Sequence, residues 1–148
     1  AHKHAADSYA DVSPTARRLM EVFWPGALTI VMPALSVFRL APHVYGPDDT
    51  VALRRPDAPF IDMLSDLSVH LPLALTSANL SGHPEARSAH QVEQGVGEHL
   101  RFIVDGGTLS STKPSTIVRV IGNDLTLLRQ GDLTMTQLER ALSGDVNA

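Results

Sequence analysis

The sequence predicts an α/β fold in which helices surround a mixed β-sheet. The chain has 148 residues, which is enough for one domain with a substantial core. β-Branched runs typical of strands alternate along it with segments whose apolar residues recur at helical spacing. Hydrophobic residues make up 43% of the chain and charged residues 19%, a balance that excludes a disordered chain or a coiled coil. We therefore expect a single α/β domain over residues 1–148.

The first half of the chain begins with a clear helix signal, because Ser13 is a good N-cap and Pro14 suits the first helical position. Residues 33–49 carry three prolines and predict a loop. The predicted elements are, in order, a helix from Pro14 to Trp24-Pro25-Gly26, a strand over 28–32, this loop, a strand over 50–54 and a helix over 59–67 capped by Asp57.

The second half of the chain contains shorter predicted elements. The most distinctive signal is Gly122-Asn123-Asp124, a favourable hairpin turn between two β-branched runs. The predicted elements are, in order, a buried strand over 71–76, a weak helix over 88–99, a strand over 102–104, two strands over 115–121 and 125–129, and a helix over 136–142.

Composition and missing motifs exclude several function classes. The chain has no cysteine, which excludes a disulfide scaffold, a thiolate zinc site and a thiol nucleophile. Its 12 basic and 16 acidic side chains give a net charge of −4, so no overall positive field indicates nucleic acid. The sequence contains neither a phosphate-binding P-loop nor a Gly-x-Ser-x-Gly nucleophile elbow. His2 and His4 are the only closely spaced histidines, and we predict no metal site.

The chain has no apolar run of membrane-spanning length, and its first residues do not resemble a signal peptide. We therefore predict no membrane association and a cytoplasmic location. Because the sequence does not begin with Met, we expect it to be part of a longer protein.

Small polar side chains follow the predicted strand over 71–76. If the backbone stays extended, Ser77 and Asn79 point to the same side and present a hydroxyl and an amide at the end of a strand. Ligands of open α/β sheets bind at such ends. The alternative is that these residues only form a turn, which is what Ser, Asn and Gly commonly do.

Three other strand ends carry side chains suited to anions. Ser115 begins a strand, Arg129 ends one, and Thr50 and Arg54 lie four residues apart on one face of another. Arginine recognises planar carboxylate and phosphate groups through two hydrogen bonds. Each residue also has an ordinary structural explanation, as a strand start or a solvated charge.

Together these segments resemble the YrdC-type family of threonylcarbamoyl-AMP synthases. The Trp-Pro-Gly and Ser-Ala-Asn-x-Ser-Gly elements are the most specific. The matching segments stand in the family's order: Phe23-Trp24-Pro25-Gly26-Ala27-Leu28-Thr29, Val51-Ala52-Leu53-Arg54-Arg55-Pro56, Thr76-Ser77-Ala78-Asn79-Leu80-Ser81-Gly82, Val104-Asp105-Gly106-Gly107, Ser115-Thr116-Ile117-Val118 and Leu128-Arg129-Gln130-Gly131.

The resemblance implies a twisted mixed sheet with surrounding helices and a concave, electropositive cavity. It implies an enzyme, a nucleotidyltransferase, that makes threonylcarbamoyl-AMP and pyrophosphate from L-threonine, bicarbonate and ATP, with Mg²⁺ expected alongside ATP. The product then serves a downstream tRNA threonylcarbamoyl transferase in the modification of tRNA.

The family pattern also implies roles for individual residues. It places Arg54, Ser77 and Ser115 around threonine, with Ser77 and Asn79 at the reacting groups. The residues that it places around the nucleotide are Thr50, Leu75 through its backbone, Ser77, Asn79 and Arg129.

The sequence departs from the family at its N-terminus, where the first strands and a Lys-x-Arg element that faces the Ser-x-Asn element have no counterpart. Lys3 and Arg17-Arg18 stand in other contexts and do not replace that element. Arg119 stands where the family usually has Asp. An alternative is therefore a non-catalytic member of the family that binds a nucleotide, tRNA or double-stranded RNA.

Overall fold

The computed structural model describes residues 5–36, 40–67, 73–109 and 113–144. The chain divides into two compact units. The first consists of residues 1–72 and 113–148, and the second of residues 73–112. The expectation of one domain over 1–148 stays a prediction.

The described residues of the first unit contain a five-stranded mixed sheet with helices, which confirms the predicted fold class. Its strands are β1 (Leu28–Pro33), β2 (Tyr45–Gly46), β3 (Thr50–Leu53), β4 (Thr116–Ile121) and β5 (Asp124–Arg129). The spatial order is β2-β3-β1-β4-β5, in which β1 and β4 are parallel and the other neighbours are antiparallel. The sheet therefore brings the start of β4 to the start of β1, where Leu28 pairs with Thr116 although the two residues are far apart in sequence.

One face of the sheet supports the core. Leu28, Ile30 and Met32 of β1 are buried on this face, and Val118 and Val120 of β4 are buried beside them. Strand residues two apart point to the same side, so Thr29 and Ile117 point to the opposite, half-buried face. This second face is the one on which polar side chains collect.

The helices of the first unit lie where the sequence predicts them. They are α1 (Pro14–Phe23), α2 (Pro59–Leu67) and α4 (Met135–Ser143). Ser13 caps α1 by accepting a hydrogen bond from the Ala16 amide, and Thr134 with Gln137 forms a capping box at the start of α4. Leu19 of α1 and Leu138 of α4 are fully buried in the core against the sheet.

The β4–β5 hairpin is also confirmed, since Ile121 pairs with Asp124 across a two-residue turn and Gly122 has a φ of +58°. The loop predicted over 33–49 is only partly correct. It contains the short strand β2 and two 3₁₀ helices, Pro42–Val44 and Pro47–Asp49. Two backbone pairs between β2 and β3 extend the sheet there, which the prolines did not predict.

The second unit contains α3 (Ala89–Val96) and a 3₁₀ helix over Gly97–His99, which together account for the weak helix predicted over 88–99. Ser88 caps α3 by accepting a hydrogen bond from the Gln91 amide. The strands predicted over 71–76 and 102–104 are wrong within the described residues, which begin at Leu73. A strand needs a hydrogen-bonded neighbour, and the sheet pairs no described residue of either segment. Their apolar side chains are correspondingly exposed, Leu75 to 62% and Phe102 to 78%.

Candidate functional site

The strand register of the first unit places the polar side chains of Arg54, Thr29 and Arg129 in one row across the sheet, with Ile117 of β4 between the last two. Thr29 of β1 pairs with Ile117 of β4, and Ile117 pairs with Arg129 of β5. Leu53 pairs with Ile30, so Arg54 follows β3 at the level of Thr29. The row therefore ends in an arginine on each side.

A β-bulge gives Arg129 its place in that row. Val118 pairs with Leu127, but the preceding residue Ile117 pairs with Arg129, so Leu128 is the extra residue of β5. Without the bulge, Arg129 would pair with Thr116, whose side chain is buried on the core face. The bulge thus turns the guanidinium to the same face as Thr29.

Ser115 contacts the side chains of both Arg129 and Thr29. The Arg129 side chain donates to the Ser115 carbonyl oxygen from Nε at 3.2 Å and from Nη2 at 2.9 Å. Nη2 also donates to the Ser115 Oγ at 3.2 Å, and that Oγ lies 2.9 Å from the Thr29 Oγ1. Ser115 is buried, so these contacts fix its hydroxyl within the sheet.

Thr116 and Gly131 hold the chain on both sides of Ser115. The Thr116 Oγ1 accepts hydrogen bonds from the amides of Gly131 and Leu133, both at 3.0 Å, and donates to the Leu133 carbonyl at 2.7 Å. A Cβ atom on Gly131 would lie 2.2 Å from the Pro114 carbonyl oxygen. Only glycine allows this close approach, which keeps the loop after Arg129 against the start of β4.

The Trp-Pro-Gly corner fixes Arg54. The Arg54 Nε donates to the Gly26 carbonyl at 2.9 Å, and the Gly26 amide donates to the Arg55 carbonyl at 2.9 Å. The indole Nε1 of Trp24 donates to the Leu28 carbonyl at 2.7 Å, which ties the corner to β1. The corner therefore has a structural role, in which the Gly26 carbonyl orients the guanidinium of Arg54.

The charges of the row favour an anion. Partial burial is the largest cause that lowers the pKa of Arg54 below its ordinary value, and the nearby Arg129 lowers that pKa further. The carboxylate of Asp132 offsets part of this effect. Two guanidiniums beside a fixed hydroxyl form a site that a carboxylate or phosphate group would stabilise.

Thr50 lies at the opposite end of β3 from Arg54. It is buried, its hydroxyl donates to the Pro47 carbonyl at 2.8 Å, and it pairs with Pro33 and Gly46 in the sheet. Four residues of extended strand separate its Cα from that of Arg54 by roughly 13 Å. The first unit therefore brings Arg54, Ser115 and Arg129 together, but it does not bring Thr50 to them.

The remaining predicted site residues lie in the second unit. Leu75 and Ser77 are exposed on its irregular segment. The Asn79 side chain donates from Nδ2 to the carbonyls of Leu80 at 3.0 Å and His83 at 2.8 Å. Its Oδ1 is buried without a hydrogen-bond partner among the described residues, beside a groove of about 250 Å³. The amide is thus held in place with one acceptor unused.

Arg119 is the other charged residue on the Ser115 face, two positions beyond Ile117. Its Nη2 donates to the Asp48 Oδ2 at 3.0 Å. In the described parts of the chain, no three His, Cys, Asp or Glu side chains cluster as metal ligands would, and no helix is long and apolar enough to cross a membrane.

The sequence analysis assigns no role to four residues that support this site: Thr29, Gly26, Thr116 and Gly131. Thr29 lies in a β-branched run where threonine is ordinary, and only the register shows which side chains lie near it. All four lie within the segments that resemble the family, which is the signal that could have identified them.

A family model for the Sua5/YciO/YrdC domain, described as "Telomere recombination", matches residues 1–131. The chain belongs to this family. The threonylcarbamoyl-AMP synthase of Bacillus subtilis is 39% identical over 127 residues, which cover 86% of this chain and 36% of the relative. The enzyme of the same name from Pyrococcus abyssi is 35% identical over 133 residues, which cover 89% of this chain and 38% of that relative.

Solved structures of family members share the fold. P. abyssi Sua5 complexed with L-threonine superposes with a TM-score of 0.82 at 34% identity, covering 93% of this chain and 40% of that one. Escherichia coli YciO, at 20% identity, covers 90% of this chain and 64% of its own with a TM-score of 0.78, which supports the fold alone. The chain thus spans well under half the length of the B. subtilis and P. abyssi relatives.

Proposed function

We propose that the protein containing this chain is an L-threonylcarbamoyladenylate synthase, a nucleotidyltransferase that makes threonylcarbamoyl-AMP and pyrophosphate from L-threonine, bicarbonate and ATP. The observation that carries the proposal is the cluster of Arg54, Ser115 and Arg129, in which two guanidiniums and a buried hydroxyl meet at strand ends. Family membership and two named synthases above 30% identity support it.

Arg54 and Ser115 bind threonine in this proposal. The Arg54 Nε is occupied by the Gly26 carbonyl, and the other guanidinium nitrogens remain to receive the carboxylate of threonine. A bound carboxylate would also relieve the repulsion from Arg129 that lowers the pKa of Arg54. The related P. abyssi Sua5 forms a complex with L-threonine, which supports this choice of ligand.

For the nucleotide we propose, on the family pattern, binding roles for Arg129 and Thr50 in the first unit and for Ser77, Asn79 and the backbone of Leu75 in the second. The same pattern gives Ser77 a role toward both substrates. Arg129 uses Nε and Nη2 on Ser115, so its Nη1 is the nitrogen left for a phosphate oxygen. The unused Oδ1 of Asn79 is an acceptor for a donor group of the substrate.

The chemistry needs alignment more than covalent help from the protein. The amine of threonine reacts with bicarbonate to form a carbamate, and water is released. The carbamate oxygen then attacks the α-phosphorus of ATP, and pyrophosphate leaves. Charged side chains align the two anions and offset the negative charge that develops on the phosphate. We expect Mg²⁺ to enter with ATP as part of the substrate.

The product is a reactive mixed anhydride, so a downstream transferase must accept it. We propose that this transferase modifies tRNA and that the protein works in the cytoplasm. Direct binding of RNA belongs to the non-catalytic alternative, and the test below separates the synthase from that alternative by measuring turnover and tRNA retention.

The test is pyrophosphate release by the full-length protein that carries this sequence. We expect release that requires threonine, bicarbonate and ATP together. Arg54→Gln should lower this activity at least about 100-fold, because it removes a charge from the threonine site. Arg140→Gln is the matched control, because Arg140 is an exposed residue of α4.

Two results would contradict the proposal. Arg54→Gln with the activity of the Arg140→Gln control would remove the assignment of the threonine site. Salt-dependent retention of tRNA by a folded wild-type protein that releases no pyrophosphate would support the non-catalytic alternative.

A further inference from the structure

Thr29 contacts the serine of the proposed threonine site. Its Oγ1 lies 2.9 Å from the Ser115 Oγ, within hydrogen-bond distance, and either hydroxyl has the geometry to donate. β1 and β4 run in parallel with Thr29 opposite Ile117. Ser115 lies two residues before Ile117 and therefore on the same face as Thr29, which brings the two hydroxyls close. The proposed function assigns no substrate contact to Thr29.

The protons around Ser115 determine what its hydroxyl does. A serine hydroxyl has one proton to donate and two lone pairs that accept. Arg129 Nη2 occupies one lone pair, because a guanidinium only donates. If Thr29 donates to the second lone pair, the Ser115 proton is left for a ligand. If Ser115 donates to Thr29, no proton is left.

A carboxylate ligand selects the first arrangement. An ionised carboxylate accepts hydrogen bonds and donates none, so Ser115 can bind it only by donating. Thr29 must then be the donor to Ser115. We propose that Thr29 is a positioning residue that directs the Ser115 proton toward the carboxylate of the amino-acid substrate; this inference rests on the proposed function.

This role predicts an effect on one substrate only. Loss of the Thr29 hydroxyl leaves the Ser115 proton without a fixed direction, which weakens threonine binding. The contribution of one hydrogen bond corresponds to about a 3- to 10-fold rise in the KM for threonine. The KM for ATP and kcat should stay at wild-type values, because Thr29 touches neither the nucleotide nor the reacting atoms.

The experiment measures both KM values and kcat in the full-length protein. Thr29→Val removes the hydroxyl and keeps a β-branched shape, and we expect the 3- to 10-fold rise in the KM for threonine. Thr29→Ser keeps the hydroxyl and should restore a KM near that of the wild type. Thr136→Val is the matched control on α4, where Thr136 is exposed, and should change nothing.

A double-mutant cycle tests whether Thr29 acts through Ser115. If it does, Thr29→Val should add no further rise in KM to that of Ser115→Ala. Thr29→Ala also lacks the hydroxyl, and we expect it to raise the KM for threonine by the same factor. It replaces Thr29→Val in the test if the valine variant does not fold.

Three results would overturn the inference: an unchanged KM in both Thr29→Val and Thr29→Ala, a Thr29→Ser variant as impaired as Thr29→Val, or effects of Thr29 and Ser115 that add fully. These differ from failure of the proposed function, in which the wild-type protein itself shows no threonine-dependent turnover.

Discussion

The two units of the chain hold their predicted site residues in different ways. In the first unit, Ser115 and Arg129 are tied to each other by three hydrogen bonds within a sheet that has a buried core. In the second unit, Ser77 is exposed on a segment without regular structure, although Asn79 donates two hydrogen bonds to nearby carbonyls. Strand pairing thus fixes the predicted site residues Ser115 and Arg129 in the first unit, and local turn contacts hold Asn79 in the second.

This difference indicates where substitutions are costly. A substitution at a buried, hydrogen-bonded position of the sheet disturbs its neighbours and lowers stability. A substitution on an exposed segment has few neighbours to disturb, so its cost is small. Pairs of identical substitutions, one in each unit, test this comparison directly.

The largest difference is expected at two glycines. Gly131→Ala places a Cβ atom 2.2 Å from the Pro114 carbonyl oxygen, and Gly106→Ala meets no atom within 4 Å. We expect Gly131→Ala to lower the free energy of unfolding by about 3 kcal/mol, and Gly106→Ala to change it by less than about 0.5 kcal/mol. Urea denaturation measures both. Equal losses in the two variants would remove the distinction between the units.

A smaller difference is expected at two threonines. Thr116→Val removes a hydroxyl that makes three hydrogen bonds and leaves buried backbone groups unsatisfied. We expect a loss of about 2 kcal/mol in the free energy of unfolding, against less than about 0.5 kcal/mol for Thr108→Val, where the side chain is exposed. The same denaturation curves provide the measurement. A Thr116→Val variant as stable as the wild type would show that the loop after Arg129 is held by other contacts.

Much of the first unit could be predicted from local signals. The capped start of α1 at Ser13 and the hairpin at Gly122 depend on residues close together in sequence, and both are confirmed. The bulge at Leu128 could not be predicted, because it depends on which residues face one another across β4 and β5. The sequence therefore predicts Arg129 at the end of a strand but does not predict the face to which its side chain points.

The second unit shows the opposite failure. Phe102, Ile103 and Val104 have high strand propensity, yet no described residue pairs with them in the sheet. Propensity describes how a side chain fits a pleated surface and does not supply the neighbouring strand. Leu73 and Leu75 likewise favour a strand but have no neighbouring strand among the described residues to pair with. Ser77 therefore does not lie at the end of a strand, where the sequence predicts it.

The most direct test of the central claim is a crystal structure of the full-length protein with L-threonine. We expect the carboxylate of threonine at about 2.7–3.2 Å from the guanidinium of Arg54 and from the Ser115 Oγ, with Thr29 still bonded to that hydroxyl. Threonine bound elsewhere, with no contact to Arg54 or Ser115, would contradict the assignment of this site.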